Sequence, residues 1–335
     1  MKDKYGYTLL DGPDCYTMNY KRLSAVLTLS LGFFFPATAA RTYAAPALDA
    51  LTVAAGDALP VLPDIGSPQP VRPPLKAQRP LNAWFINVWQ GDSEYLELPN
   101  GRSVLIDGGP ANPSGTGDPL VAQFLTQHGI THIDYVVLTH PHADHFTGLK
   151  YVFDHVKVDN FYDTREENPG AATLKVLRDQ IAGNHTTAIN YPAADDTLDW
   201  DPGEVQVKVL NSCSTPGQST VGQVLNNCSI VLKVTYQNVS MLFTGDIQSD
   251  IEAQLAAKYG AELQADVLKV GHHGSATASS VPFLSLVKPR YAYIEVGAHN
   301  SFGHPTQAAL SRLQATGAKI FRTDLDGTQE YSIGR

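Results

Sequence analysis

Thr139-His140-Pro141-His142-Ala143-Asp144-His145-Phe146-Thr147-Gly148-Leu149 is the stretch on which the reading of this chain turns. Three histidines and an aspartate fall within six residues, directly after the apolar run Tyr135-Val136-Val137-Leu138. That run reads as a buried strand, which puts the polar cluster at its carboxyl end, where α/β sheets usually place their chemistry. Alternate residues of an extended turn point the same way. His140 and His142 are therefore expected to grip one metal ion, with Asp144 and His145 facing a second beside it. Neutral imidazole and carboxylate suit zinc, or manganese and iron where oxygen donors are more numerous. The alternative is a polar loop whose histidines bond to backbone, but structural histidines seldom cluster so densely.

Two more strand ends carry similar residues. Met241-Leu242-Phe243 runs into Thr244-Gly245-Asp246, and an aspartate just past a buried strand needs a partner. It can cap the helix expected over 248–259 or serve a metal. Leu268-Lys269-Val270 runs into Gly271-His272-His273-Gly274-Ser275, where the glycines let backbone approach a ligand closely. One of this histidine pair is expected to complete the second metal position, and the other to bind the substrate's leaving group or phosphate. Gly303-His304-Pro305 sets a further histidine on a rigid loop, as a substrate contact or proton donor at the rim, or simply as an exposed turn residue.

The first loop resembles the H-x-H-x-D-H signature of the metallo-β-lactamase superfamily. The other matches occur in order: Val88-Trp89-Gln90-Gly91-Asp92-Ser93, Leu105-Ile106-Asp107-Gly108-Gly109, Asn227-Cys228-Ser229, the Thr244–Asp246 turn, the paired histidines, and Arg322-Thr323-Asp324-Leu325-Asp326-Gly327. Together they look like the hydrolase domain at the C-terminus of ComEC-type competence proteins and its free-standing relatives. The resemblance implies an α/β fold, an αββα sandwich of two mixed sheets flanked by helices. It implies a dinuclear site with two divalent ions, zinc foremost and manganese or iron as alternatives. His140, His142, Asp144, His145, Asp246, His272 and His273 would supply the ligands, Asp246 bridging. Asp144 would also orient or deprotonate the attacking water, Asp107 would support a ligating histidine, and Gly91 and Asp92 would shape a turn beneath the site. One departure stands out. Many members supply another histidine between the first loop and the bridging aspartate, but Val224-Leu225-Asn226-Asn227-Cys228-Ser229-Ile230 has none. The first ion would then rest on His140, His142 and Asp246 with water or an amide oxygen.

The activity implied is hydrolysis by a metal-bound hydroxide, first of phosphodiester bonds, in a small molecule or in single-stranded nucleic acid. A lactam, lactone or other carbonyl substrate, and a non-catalytic binding module on the same scaffold, are the rival readings. With 335 residues, 43% of them hydrophobic, the chain can bury a sizeable core. A net charge of −9 argues against a broad basic surface for stable duplex DNA binding, though not against a narrow groove.

Residues 1–39 read as a leader. Lys21-Arg22 precede an apolar run over 23–35, and Pro36-Ala37-Thr38-Ala39 offers a small-residue cleavage site. Met18 reads as the true start, and the run is too short for a comfortable membrane span, so none is expected after cleavage. An uncleaved anchor is the alternative. Secretion or a periplasmic location follows from this pattern. Residues 40–80 are rich in proline and alanine and read as a linker, leaving 81–335 for the hydrolase domain. Cys213 and Cys228 either pair in an oxidising compartment or remain buried thiols. Strands are expected over 83–88, 94–98, 103–106, 135–138, 158–162, 205–210, 229–236, 239–244, 267–270, 291–295 and 319–322, the last taken as the final strand. Helices are expected over 119–128, from 146, and over 171–181, 248–259, 282–287 and 306–315.

Overall fold

The computed structural model describes residues 79–334. The leader and nearly all of the linker lie outside the described residues. The strands in chain order are β1 (Leu81–Phe85), β2 (Glu94–Glu97), β3 (Ser103–Ile106), β4 (His132–Val137), β5 (Lys157–Tyr162), β6 (Glu166–Glu167), β7 (Ala188–Asn190) and β8 (Thr197–Asp201). After them come β9 (Val205–Asn211), β10 (Gly217–Gln218), β11 (Val231–Tyr236), β12 (Val239–Phe243), β13 (Val267–Lys269), β14 (Tyr291–Ile294), β15 (Lys319–Arg322) and β16 (Gln329–Ile333). One seven-stranded sheet runs β16-β1-β2-β3-β4-β5-β7, the other runs β15-β14-β13-β12-β11-β9-β8, and β6 with β10 forms a small ribbon. Both large sheets are mixed. β3, β4, β5 and β7 are parallel in the first, as are β12 to β15 in the second. The αββα expectation is met.

The two-residue period of the strands explains the layers. In β12, Met241 and Phe243 enter the core between the sheets while Leu242 faces the outer helices. In β3, Val104 and Ile106 point inward and Leu105 outward. Phe85 and Tyr293 stack across the sandwich with ring centroids 3.9 Å apart. Helices α1 (Leu120–Gln127), α2 (Ala143–Phe146), α3 (Leu149–His155) and α4 (Ala172–Gly183) follow the first sheet's strands, and α1, α3 and α4 pack on its outer face. After α5 (Gly222–Asn227) come α6 (Ser249–Tyr259), α7 (Val281–Val287) and α8 (Gln307–Ala315), which cover the second sheet. A short α9 (Thr323–Asp326) follows β15. Local chemistry supports these ends: the Thr306 hydroxyl accepts from the Ala309 N–H, and Asp250 and Glu252 open α6 while Lys258 closes it. Among the described residues no helix is long and apolar enough to cross a membrane.

Several sequence expectations need correction. Arg322 does not end the last strand, because β16 follows and pairs antiparallel with β1, closing the edge of the first sheet. Its residues, Gln329-Glu330-Tyr331-Ser332-Ile333, carry only a weak alternation, and the pairing partner is far away in sequence. Edge strands β7 and β8 were likewise invisible, being short and polar.

Cys213 and Cys228 form a disulfide across 15 residues of sequence. It closes the loop that carries α5. Replacing both cysteines by serine is expected to cost about 3 kcal/mol, the loop-closure value for such a ring. Urea unfolding of the oxidised parent against the double variant measures this, and coincident midpoints would show the bond to be inert.

Candidate functional site

The polar clusters of the sequence meet at one edge of the sandwich, where the parallel strands of both sheets end. β3 delivers Asp107, β4 delivers Thr139 to His145, β12 delivers Asp246, β13 delivers Lys269 to His273, and β14 delivers Glu295. Backbone strain marks the tips. Trp89, Asp107, His272 and His273 all have φ between 47° and 72°, a region that side chains other than glycine's rarely adopt. Gly91 has no room for a side chain, because a Cβ there would lie 2.1 Å from the Asp144 carbonyl oxygen.

Each histidine is oriented by what its far nitrogen meets. His145 Nδ1 faces Asp107 Oδ2 at 2.7 Å, and the same carboxylate accepts from the Thr139 N–H at 2.7 Å and hydroxyl at 2.6 Å. His273 Nδ1 is 2.9 Å from the Glu295 carbonyl oxygen. His140 Nδ1 is 3.1 Å from the Thr139 hydroxyl. These contacts leave Nε2 of each ring facing inward, the usual arrangement around a metal.

Asp246 is the hub. Its Oδ2 lies 3.4 Å from His145 Nε2, 3.4 Å from His273 Nε2 and 3.8 Å from His140 Nε2. On one side His140 Nε2 and His142 Nδ1 converge to 2.9 Å. On the other, Asp144 Oδ2 sits 3.3 Å from His273 Nε2. Among the groups of side chains that could hold an ion are a first donor group, His140 with His142 and Asp246, and a second, Asp144 with His145 and His273; Asp92 also stands within reach of His145 and His273. His272 stands apart, half-buried, with Nε2 4.0 Å from Asp246 Oδ2 and its ring centroid 5.5 Å from that of His304. Thus His273 joins the second donor group and His272 faces the rim. His304 is held by Asn300, whose amide donates to the His304 carbonyl at 2.6 Å and whose Oδ1 accepts the His304 N–H at 3.1 Å. Burial and the nearby His272 and His273 hold its pKa down at about 4.

These residues fit divalent cations. Inside the cluster, His145 Nε2, His273 Nε2 and Asp246 Oδ1 are buried with no hydrogen-bond partner, an arrangement proteins avoid unless a ligand completes it. Charge agrees. Asp92, Asp107, Asp144 and Asp246 crowd one buried space, and Lys269 is the lysine that enters it. Burial alone would strip protons from His145 and His273, yet the surrounding carboxylates outweigh it and raise both pKa values well above normal. A field that would hold protons there would hold metal ions in their place.

Sequence reading missed the layer beneath. Lys269, fully buried, bonds to Asp92 and donates to the Gly245 carbonyl at 3.2 Å. Burial would lower its pKa, but Asp92, Asp246, Glu94 and Glu295 together hold it above the usual lysine value. Glu94 and Glu295 share a hydrogen bond behind Asp92, and burial with the Asp92 charge pushes Glu94 up to about 8. Ser229 is another missed residue: its hydroxyl accepts the Asp246 N–H at 3.0 Å and lies 3.4 Å from His140 Nδ1. One signal was available, a lysine inside the apolar run Val267-Leu268-Lys269-Val270. Of the remaining histidines, His128 and His155 bond to backbone carbonyls and His132 pairs with Asp159, all away from the cluster.

The chain is similar to several known proteins. ComE operon protein 3 of Bacillus subtilis is 30% identical over 260 residues, which cover 74% of this chain and 32% of that protein. Competence protein ComA of Neisseria gonorrhoeae is 31% identical over 259 residues, covering 76% of this chain and 33% of that one. The chain thus spans about a third of the length of these relatives. Among solved structures, the metallo-beta-lactamase fold protein YhfI from Bacillus subtilis aligns with a TM-score of 0.49 at 12% identity, over 76% of this chain and 100% of that one. The sequence model of the metallo-beta-lactamase superfamily matches residues 86–299, which contain both donor groups and most of both sheets. This chain belongs to the metallo-beta-lactamase superfamily.

Proposed function

We propose that this chain is a dinuclear metallo-hydrolase of phosphodiester bonds, acting on single-stranded nucleic acid. The observation that carries the dinuclear reading is the position of Asp246, whose single oxygen Oδ2 faces both donor groups within 3.4 to 3.8 Å. Two ions, when bound, would lower the pKa of a water between them and neutralise charge on the phosphate oxygens. The chain's own residues do the rest. Asp144 is partly exposed, with Oδ2 3.3 Å from His273 Nε2, which suits it to orient the attacking water. His304, at the rim beside His272, is placed to meet the leaving group. The name of one relative, competence protein ComA, is consistent with nucleic-acid handling.

The rim favours flat substrates. Trp89 is 39% exposed and Phe302 is 65% exposed. Their loops are joined where the Gly297 N–H donates to Gln90 Oε1 at 3.1 Å, and the Asn300 amide donates to the Gly297 carbonyl at 2.9 Å. Exposed aromatic rings beside a phosphate-directed site suit unstacked bases, each stack being worth about 1–3 kcal/mol. Trp89→Ala with Phe302→Ala is therefore expected to raise KM for an oligonucleotide about tenfold or more, with kcat little changed. Equal KM in the variant would remove the stacking role. Metal-loaded protein offered a single-stranded oligonucleotide and a chromogenic cephalosporin side by side tests the whole reading. Turnover of the first alone is expected, and turnover of the second alone would assign carbonyl chemistry instead.

This reading extends to a secreted or periplasmic protein. The leader pattern motivates it, and the disulfide supports it, since such bonds persist in oxidising compartments. Fractionation of cells expressing the whole chain, with N-terminal sequencing of the product, decides the matter.

A further inference from the structure

The first donor group holds only three chain ligands where many members of the superfamily have another imidazole. Directly beside it sits Asn226, the penultimate residue of α5, 3% exposed. Its Nδ2 is 3.3 Å from His272 Nε2, an amide donor facing a ring acceptor. With that amide nitrogen on His272, Oδ1 is buried with no hydrogen-bond partner of good geometry, and the amide lies against the His142 ring of the first donor group. A buried carbonyl-type oxygen without a partner is costly, and it sits among other orphaned donors of the same cluster. The residue is also tied to the ligands through backbone. Its carbonyl accepts the Ser229 hydroxyl at 2.7 Å, and that hydroxyl in turn accepts the Asp246 N–H and neighbours His140. α5 itself leans on His142, since a Cβ on Gly222 would lie 3.9 Å from His142 Nε2.

We propose that Asn226 Oδ1 is the remaining chain ligand of the first metal position. A carboxamide oxygen is a neutral, hard donor. With Asn226 the position offers two nitrogens from His140 and His142 and two oxygens from Asp246 and Asn226. His272 then acts as the positioning residue that aims the amide. This inference rests on the reading that the cluster holds two ions.

Metal titration of the full-length protein, stripped with chelator, tests it without any activity assay. Zinc is followed by competition with a chromophoric chelator, and manganese by the EPR signal of the free ion. The parent is expected to bind two equivalents. Asn226→Ala should weaken one of the two steps about tenfold or more and leave the other unchanged. Asn226→Asp, nearly isosteric, should strengthen that step for both ions and serves if the alanine variant loses its far-UV circular dichroism. Two bound ions with Asn226→Ala and Asn226→Asp both within twofold of the parent would overturn the ligand assignment alone. A parent that binds a single ion would overturn this inference and the dinuclear reading together.

Discussion

Replacing His142 by alanine is expected to abolish hydrolysis, by about a thousandfold or more, while the thermal transition moves little. The two parts have different physical origins. His142 Nδ1 converges with His140 Nε2 to 2.9 Å, so its loss removes half of the imidazole grip on the first position. Changes to groups that only support a metal ligand typically cost about 10–100-fold, and removing a ligand itself should exceed that. The fold barely depends on the ring. His142 is half-buried, and its backbone N–H bond to the His140 carbonyl at 3.0 Å does not involve the side chain. Substitutions of this kind usually change stability by less than about 1 kcal/mol. Turnover of bis(p-nitrophenyl) phosphate, bound metal per chain and a melting curve give the three readouts. A variant with full turnover and its full metal complement would remove the first donor group from the reaction.

Lys269→Met should do the reverse, damaging the fold first. Lys269 is fully buried, bonds to Asp92 and lies 3.9 Å from Asp246 Oδ1. Without it, Asp92 would stay buried among other carboxylates with no lysine to offset them. Breaking a buried ion pair from one side costs about 3–5 kcal/mol. For a domain of this size each kcal/mol moves Tm by about 2–4 °C, so a drop of about 6–20 °C is expected in metal-free protein. The sign with pH is definite. Lys269 is held above the ordinary lysine value, so its contribution is complete at neutral pH and fades only as pH rises beyond about 10. Adding Asp92→Asn should recover part of the loss, since it removes the stranded charge. Saturating divalent metal should also recover part, because the ions supply cationic charge to the same space. Melting curves of the single and double variants, with and without metal, separate these terms. A Tm shift under about 2 °C would show that the cluster relaxes around the missing lysine.

Much of the fold was legible in the chain because both sheets are covered on both faces. Runs such as Val136-Val137-Leu138 and Met241-Leu242-Phe243 are apolar throughout, and each ends abruptly in polar residues. That contrast marked the strand tips and hence the site. The exceptions are edge elements. β16 pairs with β1 across the whole length of the domain, and no local signal announces a partner so distant. β7 and β8 are short, polar and held by one neighbour each.

For the site, the local sequence determined which donors stand together on one turn: His140 with His142, Asp144 with His145, and His272 with His273. It could not rank the last pair. Only the packed sandwich did so, turning His273 toward Asp144 and Asp246 while His272 faces Asn226 and His304. Lys269, Glu295 and Asn226 likewise gain meaning only in three dimensions, where parallel strands of two sheets end at a common edge. The reason is geometric. Bond lengths and turn angles dictate neighbours a few residues apart, whereas atoms more than a hundred residues apart come within 4 Å only through strand order, register and the packing of one sheet on the other.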